Sequence, residues 1–497
     1  MKKITNYILI LTCALICSCS KFLDEKPLHS LVDANAITSY ATGQAAVGGI
    51  YATFQNDSWA GALYTAYSTR SGFVNFNDIE YNTSYTQEVP SNGASAAWSS
   101  FYGSLNAANF AINGITALSA EQVPSEEEKN ALIAEARCLR AWINVNLLWS
   151  FGHWWAEDED VYGLLYRDQP VDLSNVQQAR ISVGESYAKI YEDLDFAIEN
   201  LKDFTSSRYV SKQFAEALKA KILLYRGGYR NDKADLTEAL ALVNDVLDNH
   251  PSSFAMEADL NDVYTNAWDS KECLFARYLE DDGSRGVAGG YYYTYYLCQL
   301  AGDRLPLPPG GVETAGLRFG LDWFKDDPRW EIATGPVRAA EAWDETFHYT
   351  FKKLARLGRY AGQLSSDPNA EKYASYFFRF SELYLMKAEL LARTGASIAD
   401  AIAPINEMRS LRTTPVLPAL NPSSQDELMD MIFKEIFLEN FMENGSEFFA
   451  SVRIQHLGQP WIVSVKAANS VPFQENKMCW PIPDAEMTNN LLMDQNP

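Results

Sequence analysis

The sequence predicts a mainly α-helical protein: an irregular helical-repeat array with long aromatic loops and a few short strands. Apolar residues recur at spacings of three and four along several long segments, which is the helical period. Two stretches rich in tyrosine and glycine lack this period. With 47% hydrophobic and 13% aromatic residues, a chain of 497 residues can bury a large core. No linker rich in glycine, serine or proline divides it, so we expect one folded unit over residues 31–497.

The first residues, MKKITNYILILTCALICSCS, predict a lipoprotein signal peptide over residues 1–18. The apolar run ends at Ile16 and is shorter than the about 20 residues that a membrane-spanning helix needs. The segment Ile16-Cys17-Ser18-Cys19 resembles a bacterial lipobox, so Cys19 is the expected lipidation site and residues 19–30 the lipid-anchored tether. Each buried methylene of an acyl chain contributes about 0.8 kcal/mol. Simple secretion with a chance cysteine is the alternative.

The charge of the chain excludes one class of partner. The sequence carries 64 acidic and 41 basic side chains. Loss of Lys2 and Lys3 with the signal peptide leaves 39 basic residues and a net charge of −25. Such a surface repels phosphate backbones, so we expect no nucleic acid partner and contact with the membrane through the lipid anchor alone.

The cysteines of the mature chain do not indicate a metal site or a disulfide framework. They are widely spaced, and no two form a CxxC pair. We expect mostly buried thiols, and the sequence leaves one disulfide bridge open. The four residues are Cys138, Cys273, Cys298 and Cys479.

Two long helices are predicted before the middle of the chain. Residues 128–150 have apolar residues on two faces, so this helix should be packed on two sides. The next helix should begin at Ser182, where the serine hydroxyl can cap the helix while Glu185 reaches back.

Two helix pairs are predicted near residues 211–250 and 377–411. In the first pair, Ala239, Val243, Val246 and Pro251 follow the second-helix spacing of a tetratricopeptide repeat, with identity only at the alanine and the proline. In the second pair, a helix over 377–393 ends before Gly395. A further helix is expected over 426–443. Such pairs stack because neither helix alone can bury its apolar stripe.

Two long loop regions, near residues 56–93 and 278–330, are the predicted binding surface. Loops of this length are usually functional or disordered, and their aromatic content argues against disorder. A tyrosine ring has an apolar face and a polar hydroxyl, which matches the flat C–H face and hydroxyl rim of a sugar. The candidate ligand-binding residues are Trp59, Tyr64, Tyr67, Arg70, Asn75, Asn77, Asp78, Tyr291, Tyr292, Tyr293, Tyr295 and Tyr296.

The tyrosine run GGYYYTYY over 289–296 admits a second interpretation. Side chains of a strand alternate between two faces, so one set could pack while the other meets a ligand, or all could pack. Trp98 and Tyr102 begin a helical pattern and should lie in the core. Trp323 and Trp330 could serve in either role.

Motifs of catalysis and of metal binding are absent from the sequence. It contains no G-x-S-x-G, H-E-x-x-H or phosphate-binding loop, and its five histidines are far apart. The acidic run 157–160 faintly resembles a calcium loop. However, Tyr162 and Gln169 occupy ligand positions, so a solvated turn is favoured. We expect no metal, no cofactor and no catalysis, although a carboxylate pair for glycoside hydrolysis cannot be selected from 64 acidic residues.

Five segments in order resemble the SusD/RagB outer-membrane lipoproteins of Bacteroidetes. The segments are CSKFLDEKP behind the lipobox, EARCLRAWINVNLLWSFG, RISVGESYAKIYEDLDFAIENL, FRFSELYLMKAELLARTG with INEMRSLR, and WPIPDAEMTNNLLMDQNP. The sequence departs from the family pattern at ENGSEFFASVR, where Glu447 and Ala450 replace the expected Arg and Asp and Asn444 is inserted. This departure puts local structure in doubt.

The resemblance implies a helical, SusD-like fold with tetratricopeptide-like pairs. It also implies a lipid-anchored outer-membrane protein exposed on the cell surface, which captures a nutrient for a SusC-like TonB-dependent transporter and is not an enzyme. Glycans are the expected ligand, and peptide capture by a RagB-like protein of the same architecture is the alternative. A lipid-anchored glycoside hydrolase and a purely structural assembly module are the other hypotheses.

We predict that Cys19→Ser abolishes lipidation. Without a thiol at the first mature position, no acyl chain can be attached, so the protein should leave the detergent phase in a phase-separation assay and lose radiolabelled palmitate. Cys17→Ser is the matched control and should remain anchored. Retention of the label by the Cys19 variant would contradict the assignment.

Overall fold

The computed structural model describes residues 36–54, 57–59, 67–68, 70–75, 92–280, 316–317, 319–338, 347–351, 372–468 and 470–497. The signal peptide, Cys19, the tether and Cys298 lie outside these residues. The described part is mainly helical with a few short strands, as predicted. Its α-helices in chain order are α1 Tyr40–Thr53, α2 Asn92–Thr116, α3 Glu126–Phe151, α4 Val183–Asn200, α5 Lys212–Arg230, α6 Lys233–Asn249, α7 Leu260–Asn266, α8 Leu321–Lys325, α9 Trp330–Ala333, α10 Phe380–Thr394, α11 Ile398–Leu411, α12 Gln425–Asn440, α13 Ser446–Arg453, α14 Trp461–Ala468 and α15 Asp484–Asn489.

The described strands form four two-stranded antiparallel sheets, β1–β3, β2–β6, β4–β5 and β7–β8. The pair β2–β6 is the longest, with Ala276 opposite Tyr376 and Glu280 opposite Lys372. The strands are β1 Val74–Asn75, β2 Cys273–Glu280, β3 Gly316–Leu317, β4 Thr334–Arg338, β5 Phe347–Phe351, β6 Lys372–Arg379, β7 Gln455–His456 and β8 Gln459–Pro460.

The helices from α1 to α6 pack on their neighbours in sequence, and α6 also packs on α10. Helix α3 is buried on both sides over its second half, which confirms the two-sided packing that its sequence predicts. The cap of α4 is confirmed too: Ser182 Oγ accepts from the Glu185 amide, and Glu185 Oε2 accepts from the Ser182 amide at 3.0 Å. Local capping thus fixes where this helix begins.

Both predicted helix pairs are present, as α5 with α6 and as α10 with α11. The two pairs end their first helices differently: Asn231 has a left-handed φ of 59° after α5, and Gly395 has a φ of 95° after α10. The prediction that a helix begins at residue 377 is wrong, because residues 377–379 belong to β6. The aromatic run before Phe380 pairs with β2, and this pairing outweighs its helical spacing.

The sequence ENGSEFFASVR lies between α12 and α13 and continues into α13. Met442, Asn444 and Gly445 all have left-handed φ angles, 61°, 49° and 73°. Glu447 is fully buried and accepts hydrogen bonds from Ser68 Oγ and from the Met442 amide. The departure from the family pattern is therefore accommodated by a tight turn whose carboxylate is hydrogen-bonded inside the protein.

The buried carboxylate of Glu439 is surrounded by three arginines. Its Oε1 accepts from Arg379 Nη1 at 3.1 Å and from Arg412 Nη2 at 3.0 Å, and its Oε2 accepts from Arg329 Nη1 at 3.0 Å. All four side chains are at most 3% exposed. Since the arginines lie at the end of β6, directly after α11 and directly before α9, one carboxylate on α12 ties three remote segments together.

Further carboxylates balance these guanidinium groups. Arg379 also pairs with Glu443 at 2.7 Å and with Glu272 at 2.6 Å, and Arg412 pairs with Glu272 at 2.8 Å. Burial alone would raise the pKa of Glu439, but the charges of Arg412, Arg379 and Arg329 outweigh burial and hold its pKa well below the usual range. Every charge named here has an opposite partner, as buried charges require.

We predict that Glu439→Gln lowers the free energy of unfolding by about 3–5 kcal/mol at pH 7, because three buried guanidinium groups each lose one of their carboxylate partners. Since the folded pKa of Glu439 is depressed, its contribution is present above the unfolded value of about 4.3 and is lost as the pH falls below it. Urea unfolding at pH 7 and pH 3 should therefore show a smaller difference between variant and parent at pH 3.

The control is Lys189→Gln, which removes a surface ion pair with Glu192 at 3.2 Å. Its effect should stay within about 0.5 kcal/mol, because exposed pairs are screened by solvent. Equal unfolding midpoints for the Glu439 variant and its parent would contradict the central position of Glu439.

Candidate functional site

Strands β1 and β3 join the two loop regions that the sequence predicts as the binding surface. Val74 lies opposite Leu317 and Asn75 opposite Gly316. Residues 76–91 follow β1 in the chain, and residues 281–315 precede β3. Both segments are therefore attached at this one place, which we call the loop junction and define as residues 73–75 and 316–320 without residue 318.

An aromatic floor lies beneath the loop junction. Phe73 is fully buried, and its ring centre is 5.0 Å from that of Phe437 on α12 and 5.8 Å from that of Phe319. Gly320 has a φ of 80°, and a Cβ atom there would lie 2.7 Å from Phe437 Cε1. Glycine is thus needed for both the backbone angle and the close approach, which together seat the junction on α12.

Two half-buried rings extend this floor towards the surface. Trp323 lies 5.5 Å from Phe319 and 5.6 Å from Trp461, and Lys434 Nζ is 5.2 Å from the centre of the Trp323 ring. The sequence left the role of Trp323 open and did not single out Phe319 or Lys434. Two features of the sequence could have indicated these residues. Phe319 lies within the predicted loop region, and Lys434 is the lone cation on the apolar stretch of α12.

Trp59 lies in the core, so the prediction that it is an exposed platform is wrong. It is 0% exposed, its Nε1 donates to Ser104 Oγ at 3.1 Å, and its ring packs 4.3 Å from Phe101 and 4.7 Å from Phe54. Residues 57–59 form one turn of 3-10 helix that packs against α2. This turn directs the indole inward, where its one polar atom has a partner.

Tyr67 is also buried, and the prediction of a ligand contact is wrong for this residue as well. Its ring stacks on Phe448 at 5.8 Å, and a Cβ atom on Gly445 would lie 2.7 Å from Tyr67 Cδ2. Its hydroxyl lies 3.2 Å from Ser150 Oγ, and burial raises its pKa to about 12. The ring therefore fills a space that α13 and its preceding turn leave for it.

Arg70 is a structural cation and not a surface partner for ligand, contrary to the prediction. It is 2% exposed, its Nη1 donates to the Met478 carbonyl at 2.8 Å, and its guanidinium lies 4.3 Å from the centre of the Trp480 ring. Lys466 Nζ donates to the Arg70 carbonyl. Burial, and then the charge of Arg70, lower the pKa of Lys466 to about 7.

The remaining candidate residues stay predictions. Asn75 lies in β1, where the backbone alone is described. Outside the described residues are Tyr64, Asn77, Asp78, Tyr291, Tyr292, Tyr293, Tyr295 and Tyr296.

The two residues that the sequence assigns to the core are confirmed there. Trp98 packs 4.9 Å from Phe151, and the Tyr102 hydroxyl donates to the Leu165 carbonyl at 2.9 Å. Trp330, like Trp323, is half-buried. The three described cysteines, Cys138, Cys273 and Cys479, are buried free thiols.

The acidic run at 157–160 is a turn with internal partners. Asp158 pairs with Arg230 at 2.7 Å, and Asp160 Oδ2 lies 3.1 Å from His153 Nδ1. Within the described ranges, no group of three or more His, Cys, Asp or Glu side chains is placed to hold a metal ion.

The helical pairs and the loop junction define a helical-repeat protein in which a short strand pair joins two segments that are distant in sequence. The model described as "SusD family" matches residues 325–497, and the model described as "Starch-binding associating with outer membrane" matches residues 21–224. The chain belongs to the SusD/RagB family. Among the described helices, no segment combines the length and apolar character that crossing a bilayer requires.

Individual relatives support the same family. SusD-like protein P2 of Formosa agariphila is 27% identical over 468 residues, which cover 87% of this chain and 86% of the relative. A SusD superfamily crystal structure from Bacteroides thetaiotaomicron has a TM-score of 0.70 at 20% identity and covers 93% of this chain and 100% of that one. Surface glycan-binding protein A from Bacteroides fluxus has a TM-score of 0.69 at 20% identity, with coverages of 93% and 99%.

We predict that Lys466→Met changes how stability depends on pH. Because the folded pKa of Lys466 is lowered to about 7, the unfolded chain binds a proton that the folded protein does not bind between pH 7 and the ordinary lysine pKa of 10.5. Over this range, each pH unit of acidification should lower the free energy of unfolding of the parent by up to about 1.4 kcal/mol relative to that of the variant.

Urea unfolding at pH 7, 8, 9 and 10 measures this difference. The control is Lys233→Met, which removes a lysine that is exposed on the surface and should change the free energy of unfolding by no more than about 0.5 kcal/mol. A pH-independent difference for the Lys466 variant would show that this lysine keeps its proton when buried.

Proposed function

We propose that this protein is a cell-surface glycan-binding lipoprotein that captures oligosaccharide and delivers it to a SusC-like TonB-dependent transporter. The observation that carries the proposal is the pairing of β1 with β3, which attaches both aromatic loop regions at one place on a SusD-family scaffold. The family description "Starch-binding associating with outer membrane" supports the ligand class and the location. The name of the Bacteroides fluxus relative supports glycan binding further.

Capture of a sugar needs only flat aromatic surfaces and hydrogen-bonding groups. Aromatic rings can cover the C–H face of a sugar, while amide and carboxyl groups meet its hydroxyl rim. The proposed platforms are Tyr64, Tyr291, Tyr292, Tyr293, Tyr295 and Tyr296. The proposed partners of the hydroxyl rim are Asn75, Asn77 and Asp78. Because the ligand must be released to a transporter, we expect weak to moderate affinity and no chemical conversion.

The lipid anchor and the transporter complete the proposal. Acylation at Cys19 would hold the folded part at the outer membrane, exposed on the cell surface. Pull-down through a tag on this chain should recover an outer-membrane barrel from the native host, and the Cys19→Ser variant in solution tests whether the anchor is needed for that contact.

We predict that calorimetric titration detects binding to at least one class in a panel of α- and β-linked oligosaccharides. Alanine replaces two sets of tyrosines separately: Tyr292 with Tyr296, and Tyr291 with Tyr293 and Tyr295. In a strand these two sets would lie on opposite faces. Each ring that stacks on ligand contributes about 0.5–1.5 kcal/mol, so one set should weaken binding several-fold and the other should not.

The matched control is Leu457→Ala, which removes a side chain that is 90% exposed on the β7–β8 turn. It should leave the affinity unchanged. Heat with peptides and none with any glycan would replace the ligand class by peptide. The appearance of reducing ends during incubation with polysaccharide would contradict a purely binding role.

A further inference from the structure

A groove of about 490 Å³ lies between α1, the first half of α3 and the segment 201–210. None of these elements contributes to the loop junction. Val47 and Leu132 form part of its lining and are 3% and 5% exposed. Its volume falls within the range of about 300–1,000 Å³ that is typical of small-molecule sites.

One end of the groove is fixed by Glu128. Its Oε1 accepts from Lys202 Nζ at 2.7 Å, and its Oε2 accepts from the Tyr40 hydroxyl at 3.0 Å. These bonds hold one side chain from α1, one from α3 and one from the segment 201–210. The shape of this end therefore does not depend on a ligand.

The middle of the groove is fixed by Tyr51 and Glu135. The Tyr51 hydroxyl accepts from the Val210 amide at 3.1 Å and donates to Glu135 Oε1 at 2.7 Å. The second oxygen, Glu135 Oε2, has no hydrogen-bond partner within the described part of the chain. Burial raises the pKa of Glu135, and the Tyr51 bond opposes this shift. An acceptor that is poorly solvated is thus presented to the groove.

Tyr209 supplies an open aromatic face. Its ring centre is 5.4 Å from that of Tyr51, and the two rings are perpendicular. Tyr209 is nevertheless 53% exposed, so much of its surface is left uncovered. A Cβ atom at Gly48 would meet no described residue within 4 Å, so the described part of the chain leaves the surface of α1 open at this point.

Hydrogen-bonding groups of both kinds surround this ring. The side-chain amide of Gln44 and the hydroxyl of Thr205 line the groove. Neither group makes a hydrogen bond to a described residue, and both side chains are exposed. Asp203 Oδ1 accepts from Gln213 Nε2 at 2.8 Å. Donors, acceptors and an aromatic face therefore lie in one concave site.

We propose that this groove is a second carbohydrate-binding site, which holds one or two sugar units with a C–H face on Tyr209. Sugar hydroxyls would donate to Glu135 Oε2 and accept from the Gln44 amide. A sugar fits better than a simple cation because the groove offers donors as well as acceptors and Lys202 lies at its rim. The choice of carbohydrate rests on the proposed function, whereas the position of the site rests on the groove alone.

Saturation-transfer NMR with maltose, cellobiose and lactose at millimolar concentration tests the proposal. The full chain is compared with Tyr209→Ala, both alone and in a protein whose five tyrosines at 291–293, 295 and 296 are changed to alanine. We expect at least one disaccharide to give a signal with the five-alanine protein. Adding Tyr209→Ala should reduce that signal at least threefold, and Gln44→Ala should reduce it as well.

The control is Leu173→Ala, which removes a side chain that is 96% exposed and does not line the groove. It should not change the signal. Loss of all disaccharide signal in the five-alanine protein, while the parent still binds longer glycans, would overturn the groove and leave the proposed function standing. A Tyr209-dependent disaccharide signal, together with no effect of the five alanines on the binding of longer glycans, would leave the groove standing and overturn the proposed function.

Discussion

The buried carboxylate of Glu439 holds together three segments of the fold, one of which follows the loop junction in the chain. Its three arginine partners come from segments that are distant from one another in sequence. They are Arg329 before α9, Arg379 at the end of β6, and Arg412 after α11. Buried charges tolerate little displacement, because a guanidinium that moves away loses its counter-charge without regaining water. The segment 319–338, which continues from β3, is held against the helical array for this reason.

The scaffold and the proposed ligand surface divide the aromatic residues between them. Rings close to the helices, such as Trp59, Tyr67 and Phe73, are fully buried, and Phe73 packs on α12 at the loop junction. Phe319 and Trp323 are half-buried at the edge of this aromatic floor. The groove beside Tyr209 is built differently, from a few fixed hydrogen bonds and one open ring. Two surfaces of unlike construction on one chain would suit a protein that holds a long ligand at more than one point.

The helices follow from local sequence, and the loop contacts do not. The spacing of apolar residues predicts α3, and a capping box predicts the start of α4, since both depend on residues within a few positions. The start of α10 was misplaced because an aromatic run suits either a helix or a strand, and only the distant partner β2 decides. The composition around Trp59 and Arg70 shows that rings and charges are present, but the direction of each side chain depends on α2, α13 and Trp480. The pairing of Val74 with Leu317 leaves no local signal.

The same division between near and distant contacts has a consequence for how the molecule is assembled. Helices α1 to α6 contact their neighbours in sequence, so these contacts can form as soon as each pair of helices is free to fold. The β1 strand, although it lies early in the chain, has its partner almost half the chain away. The β1–β3 pair therefore cannot form until the chain as far as β3 is available. We therefore expect the loop junction to form after helices α1 to α6 have packed together.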